Sequence, residues 1–225
     1  MTRKDDSRYF RKILYLAVFA VAMGYFESAV VVYLRELYYP GGFAFPLKDM
    51  PHKTAMVELG REAATIIMLL MVAVITARGF WTRFAYFIFI FGIWDISYYV
   101  WLRVAISWPG ELSDPDILFL IPLPWVGPVI APVLISTLMI ISGLYISRLG
   151  HDGINFRPGI WGWILALIGI GAILYTFLKD GRSIFFGAIP RPFPYWLYAL
   201  GLGSGVLAFI VAYLQSKKAR IYGKD

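Results

Sequence analysis

The sequence predicts an all-α polytopic membrane protein, a single domain over residues 1–225 with about six transmembrane helices and a short re-entrant or interfacial segment near 117–124. The composition is the first reason. The chain is 60% hydrophobic and only 16% charged, with a mean hydropathy of +0.68, whereas soluble domains are about 45–50% apolar and about 25% charged. The second reason is a series of apolar runs near the ~20 residues that a helix needs to cross a bilayer.

Six apolar runs are predicted to be transmembrane helices. The first follows a basic N-terminal segment, and its length favours a retained span over a cleaved signal peptide. Proline-rich and charged loops separate the remaining runs. The predicted spans are residues 13–34, 54–77, 82–102, 126–146, 160–178 and 195–214.

Prolines interrupt the stretch before the fourth span. Pro122, Pro124, Pro128 and Pro132 follow one another closely, and proline removes a helical hydrogen bond and clashes with the preceding turn. We therefore expect residues 117–124 to form the short re-entrant or interfacial piece. The fourth span would then begin at residue 126 and be kinked near Pro132.

The basic residues predict the orientation. With six spans both termini lie on the same side, and thirteen of the 21 Lys and Arg residues fall on that side, leaving eight on the other (13 + 8 = 21). The positive-inside rule then predicts cytoplasmic N and C termini in the plasma (inner) membrane. This orientation accounts for the net charge of +7 better than nucleic-acid binding does, because the basic residues flank the apolar runs. The lipid bilayer is the expected partner.

Two residue types limit the chemistry. The chain has no cysteine and only two histidines, His52 and His151, which lie in predicted loops. Thiol catalysis, zinc–thiolate sites and haem ligation by paired intramembrane histidines are therefore excluded. A functional site would have to be built from carboxylates, guanidinium groups, hydroxyls and backbone atoms.

The second span carries an unusual set of charges. Glu58, Arg61 and Glu62 lie in its first third, and residues three and four apart share one face of a helix. Ionised groups are costly at membrane depth, so such residues usually face the interior of a bundle or a water-filled cavity. The charges predict a polar site inside the bundle.

Charged residues of three spans are expected at a common height. With a rise of about 1.5 Å per residue, Glu27, Glu62 and Asp95 lie roughly 21, 22 and 20 Å from the inner edge of the membrane. Arg61 lies at the same level, in the outer half. Arg35 is interpreted as a solvated end of the first span. The predicted binding residues are Glu27, Glu58, Arg61, Glu62, Asp95, Tyr99 and Arg103.

Converging carboxylates would repel one another, so at least one must bind a proton, a cation or Arg61. A hard divalent cation is one candidate cofactor, with Glu27, Glu62 and Asp95 as the ligands, because such ions prefer oxygen ligands. A proton suits the same site. The favoured function is a small carrier or channel-like protein with an outward-facing site for a proton, a cation or a small solute.

Alternatives remain open at the level of sequence. The protein would be a membrane-embedded enzyme acting on a lipid or lipid-linked anionic substrate if the outer basic residues held an anionic headgroup. It would be a non-catalytic subunit if its charges bound the helix of a partner. If Arg61 paired with Glu27 or Asp95, the charges would serve only to fix the arrangement of the bundle. The basic residues considered for the headgroup are Arg61, Arg103, Lys179, Arg182 and Arg191.

Overall fold

The computed structural model describes residues 3–221, and the side chains of residues 5–219. The elements are α1 (Arg3–Tyr38), α2 (His52–Thr76), α3 (Phe80–Ile106), β1 (Pro115–Phe119), β2 (Trp125–Pro128), α4 (Ile130–His151), α5 (Ile160–Leu178), α6 (Gly181–Phe185) and α7 (Tyr195–Ile221). All the helices except α6 are long and apolar enough to cross a membrane. The structure therefore confirms a mostly helical bundle with six helices of that length. Of the basic residues counted for orientation, the side chains of Arg3, Lys4 and Arg220, and all of Lys224, lie outside the described part.

Helix α3 is the centre of the bundle. It contacts α1, α2 and α4, while α5 packs against α7 and α7 against α4. Small residues allow the close approaches. A Cβ atom on Gly92 would lie 2.5 Å from the carbonyl oxygen of Ser136 on α4, and one on Gly24 would lie 2.7 Å from Cβ of Ser97 on α3. These contacts set the spacing of the helices that carry the charged residues.

The fourth span begins later than predicted. Val126 belongs to strand β2, and α4 begins at Ile130. A kink near Pro132 was predicted because proline disrupts the interior of a helix. Pro132 is instead the third residue of α4, so this reason does not apply. The first turn of a helix needs no intrahelical N–H donors, so proline is tolerated there.

The proline-rich segment forms a β-hairpin, which the sequence analysis did not predict. Asp116 pairs with Gly127 and Ile117 with Val126 in antiparallel register. Alternating β-branched and aromatic residues favour strands, and prolines are tolerated in a two-stranded hairpin because both strands are edges. The segment 117–124 thus covers the end of β1 and the turn.

The hairpin packs into the bundle. The ring of Phe119 stacks on Phe91, with 6.3 Å between centroids, and lies 6.2 Å from Trp94. Phe91 and Trp94 are near the middle of α3. The hairpin therefore contacts the middle of α3, next to the predicted site residue Asp95.

Candidate functional site

Arg61 joins two carboxylates from different helices. Its Nη1 atom contacts Oε1 of Glu27 on α1, and its Nε and Nη2 atoms each lie 2.8 Å from Oε2 of Glu58 on α2. The hydroxyl of Thr65 donates to the other oxygen of Glu27 at 3.2 Å. The structure thus brings α1 and α2 together through an ion-pair cluster whose arginine side chain is only 17% exposed.

The face of α2 explains this cluster. Its buried residues are Glu58, Glu62, Thr65, Leu69 and Ala73, at intervals of three or four residues. Such intervals place them on one side of the helix. The half of this face nearer His52 is polar, and the half nearer Thr76 is apolar. Helix α2 therefore presents its acidic residues to the interior of the bundle rather than to its outside.

Glu62 binds the hairpin rather than a basic side chain. Its two carboxylate oxygens lie 3.1 and 3.0 Å from the backbone nitrogen of Leu120, which donates the hydrogen bond. Glu62 also interacts electrostatically with Arg61 and Glu58. Because Leu120 opens the turn between β1 and β2, this contact fixes the hairpin next to the Arg61 cluster.

Asp95 faces α4. It accepts a hydrogen bond of 2.8 Å from the hydroxyl of Ser136. The close approach of α3 and α4 at Gly92, one helical turn before Asp95, makes this contact geometrically possible. Asp95 also interacts electrostatically with Asp116 of the hairpin. It forms no ion pair with any basic side chain among residues 5–219.

A buried ion pair that the sequence analysis missed lies beside Asp95. Arg35 is 8% exposed and Asp116 is 2% exposed, and Arg35 Nη2 donates to Asp116 Oδ1 at 3.0 Å. The guanidinium carbon lies 3.6 Å from the ring centroid of Trp108 and 4.8 Å from that of Phe43. The interpretation of Arg35 as a solvated span end was therefore wrong. The only hint was that Asp116 precedes an apolar run, and no pattern linked it to a residue 81 positions away.

Asp116 lies in strand β1, outside the six long helices. Burial raises the pKa of its carboxyl group to about 6, although the charge of Arg35 opposes that shift. Asp116 Oδ2 and Arg35 Nη1 are both buried, and neither has a hydrogen-bond partner in the described part of the chain. The pair thus has one acceptor atom and one donor atom that are buried without a hydrogen-bond partner among the described residues.

Two tyrosines of α3 interact with the charged groups. Tyr98 interacts electrostatically with Arg61, Asp95, Asp116 and Arg35. The predicted site residue Tyr99 is 6% exposed, packs edge-on against Tyr98 and interacts electrostatically with Asp116. The Arg61 cluster, Asp95 and the Arg35–Asp116 pair therefore belong to one connected polar region, which we call the outer polar site.

Arg103 lies apart from this site. Its Nη1 atom donates to the carbonyl oxygens of Ser107 and Pro109, at 2.7 Å in both cases, and its side chain is exposed. Carbonyl groups at a helix C-terminus lack intrahelical partners. Arg103 therefore stabilises the end of α3 instead of joining the carboxylates.

The basic residues of the last loop are also engaged elsewhere. Lys179 Nζ and Arg191 Nε lie 2.5 and 2.6 Å from the carboxylate of Asp180. Arg182 is exposed on α6. The structure shows no ion pair or hydrogen bond between these three side chains and the described residues of the outer polar site.

The arrangement of the acids bears on metal binding. Within residues 3–221, no three or more histidine, aspartate or glutamate side chains are grouped so that they could hold a metal ion. Glu27, Glu62 and Asp95 instead contact Arg61, a backbone amide and a serine hydroxyl, respectively.

Comparison of the chain with protein-family models, curated proteins and solved structures gave no match. Function is therefore inferred from the geometry and charge of the outer polar site.

Proposed function

We propose that the chain is an integral membrane protein of the plasma (inner) membrane with cytoplasmic termini, and that it carries protons, alone or coupled to a small solute, through the outer polar site. The six long apolar helices support membrane insertion. The distribution of Lys and Arg supports the orientation.

The charge balance of the site carries this proposal. Five carboxyl groups face only two guanidinium groups, so three negative charges remain if all of them ionise (5 − 2 = 3). The acids are Glu27, Glu58, Glu62, Asp95 and Asp116, and the bases are Arg35 and Arg61. An uncompensated charge is costly inside a protein. Bound protons or bound cations remove that cost, and intramembrane acid groups of this kind are typical of proton relays.

A proton fits this arrangement better than a divalent cation. A metal of the Ca²⁺ or Mg²⁺ type needs several oxygen ligands converging on one point, whereas these acids have separate partners. A proton needs only one acceptor at a time, and hydroxyl groups can relay it. Tyr98 and Tyr99 both interact electrostatically with Asp95 and Asp116 and supply such hydroxyls.

The β-hairpin is the proposed re-entrant segment. Non-helical backbone is tolerated at membrane depth only where protein or water satisfies its polar groups. Here β1 and β2 pair with each other and Glu62 accepts the Leu120 amide. The hairpin would thus close the outer polar site from one side and bring Asp116 into it.

The enzyme and subunit alternatives receive less support. An enzyme acting on an anionic lipid-linked substrate needs basic groups free to hold that substrate. Arg61 is held by two glutamates, and Lys179 and Arg191 are held by Asp180. A subunit would need an unpaired charge on the lipid-facing surface, whereas Glu27, Glu58 and Glu62 are buried.

Proton movement can be tested in liposomes that contain the purified protein and a trapped pH-sensitive dye. A potassium diffusion potential, negative inside, should acidify the lumen faster than in protein-free liposomes. Asp95→Asn and Glu62→Gln should each slow this acidification by about tenfold or more, because each removes one titratable acceptor while keeping its shape.

Glu36→Gln is the matched control, because Glu36 lies on the same helix as Glu27 but is exposed. It should leave the rate unchanged. The proposal is contradicted if wild-type liposomes acidify no faster than protein-free ones. It is contradicted equally if Asp95→Asn and Glu62→Gln both match the wild-type rate.

A further inference from the structure

Two adjoining cavities lie at the end of the bundle opposite the outer polar site. The first has a volume of about 710 Å³ and is lined by the start of α1, the end of α2 and the end of α4. The second, about 480 Å³, runs between α1 and α2 and shares Arg8, Lys12 and Thr76 with the first. Together they form one open cleft, which we call the inner cleft.

The head of the inner cleft is basic. Arg8, Lys12 and Arg78 line it, together with the acidic residue Asp5. Lys12 donates to the carbonyl oxygen of Thr76 at 3.2 Å and lies 5.6 Å from the ring centroid of Tyr86. Three cationic groups and one carboxylate therefore line the open space, which leaves it with an excess of positive charge.

The wall of the head is fixed by buried polar contacts. Tyr9 is 8% exposed, its hydroxyl lies 2.9 Å from Ser147 Oγ on α4, and its ring stacks on His151. His151 Nε2 is buried and makes no hydrogen bond with the described residues. It lies 3.5 Å from Oδ1 of Asp6, which also pairs with Arg148.

The continuation of the cleft is apolar. Leu16 and Phe19 on α1 and Val72 on α2 line the second cavity beyond the basic residues, and Tyr15 and Arg11 also line it. Helices α1 and α2 are joined by polar contacts at the outer polar site, but this apolar part of the space between them stays open. A basic head followed by an apolar groove, on helices that would face lipid, is complementary in shape and charge to an anionic lipid.

We propose that the inner cleft binds an anionic phospholipid, with the phosphate group between Arg8, Lys12 and Arg78 and one acyl chain along Leu16, Phe19 and Val72. Basic clefts between transmembrane helices on the cytoplasmic side attract such headgroups, because that leaflet is negatively charged. The site is separate from the outer polar site, and lipid binding there does not depend on proton transport.

The test is a titration of the purified protein in detergent with phosphatidylglycerol or with phosphatidylcholine, read by native mass spectrometry. Wild type should bind phosphatidylglycerol more tightly than phosphatidylcholine. Replacing Arg8, Lys12 and Arg78 together by Gln should weaken phosphatidylglycerol binding by about fivefold per charge, roughly a hundredfold in all. Val72→Trp, which fills the groove, should also reduce the number of retained lipids.

The control removes three charges elsewhere, through Arg157→Gln, Lys218→Gln and Lys53→Gln. All three residues are exposed, and none lines the cleft. This variant should bind phosphatidylglycerol like wild type. Equal losses in the control and the cleft variant would overturn the proposal in favour of general surface attraction. The acyl-chain part of the proposal would be overturned if glycerol phosphate competed for the site as well as whole lipid does. It would also be overturned if Val72→Trp retained as many lipids as wild type, and either result would leave a site for a free anion.

Discussion

The carboxylate of Glu62 accepts the backbone N–H of Leu120 with both of its oxygens, at 3.1 and 3.0 Å. A buried acid on α2 thereby holds the turn of the β-hairpin, 58 positions away in the chain. The same side chain lies beside Arg61 and is an acid of the proposed proton path. Glu62 therefore links the structure of the hairpin to the chemistry of the outer polar site.

The two roles of Glu62 are separable by substitution. Glu62→Gln keeps an acceptor oxygen for Leu120 and should leave the hairpin in place. Glu62→Ala leaves the Leu120 amide without its acceptor, at a cost of about 1–3 kcal/mol. Hydrogen exchange of the peptide covering 115–128 should be faster than wild type in Glu62→Ala and unchanged in Glu62→Gln. Equal protection in all three proteins would show that Glu62 does not hold the hairpin.

Arg61 should be a strong contributor to stability. Arg61→Ala leaves Glu27 and Glu58 as buried acids without their basic partner, which should lower the free energy of unfolding by about 3–5 kcal/mol. Unfolding in mixed detergent micelles would measure this change. The triple variant with Arg61→Ala, Glu27→Gln and Glu58→Gln should regain most of the loss, because the two ion-pair partners of Arg61 are then uncharged.

The exposed Arg103 provides the comparison for Arg61. Arg103→Ala should cost no more than about 1 kcal/mol, since surface substitutions usually have small effects. A loss for Arg103→Ala as large as that for Arg61→Ala would contradict the assignment of the buried cluster as the stabilising one.

Asp116 should titrate within the physiological range. Its pKa is raised to about 6 by burial, so a carboxyl C=O infrared band should disappear as the pH rises through about 6 and should be missing in Asp116→Asn. Asp49→Asn, which changes an exposed acid, should keep the band. Because the folded-state pKa lies above the ordinary value of about 3.9, the contribution of protonated Asp116 to stability is full below that value and is lost as the pH rises through about 6. A band that titrates near pH 4 would contradict the burial argument.

The topology can be mapped by cysteine labelling, since the native chain contains no cysteine. Single cysteines at the exposed positions Lys53, Glu111 and Arg182 should react with an impermeant thiol reagent in intact cells. Cysteines at the exposed positions Arg157 and Lys218 should react only after the membrane is opened. Labelling of position 157 from outside would rule out the N-in, six-span arrangement.

Sequence reasoning found the six long apolar helices and the charged face of α2, because both depend on local patterns. Helix length follows from the number of consecutive apolar residues, and helical rise converts position into height. The contact between Arg61 and Glu27 agrees with that calculation. The ends of the helices were predicted less accurately. Helices α1 and α7 extend past the predicted spans 13–34 and 195–214, because each helix continues into the polar residues beyond its apolar run.

What the sequence by itself determined is therefore which segments are long and apolar. It also predicted that acids from three of them share one level. Only the tertiary structure decided the partners: Leu120 for Glu62, Ser136 for Asp95, and Asp116 for Arg35. The physical reason is that a buried polar group must find a partner wherever packing allows one. Those partners come from a hairpin and a helix that are distant in the chain, and their positions depend on close approaches such as Gly92 against Ser136, which no local pattern encodes.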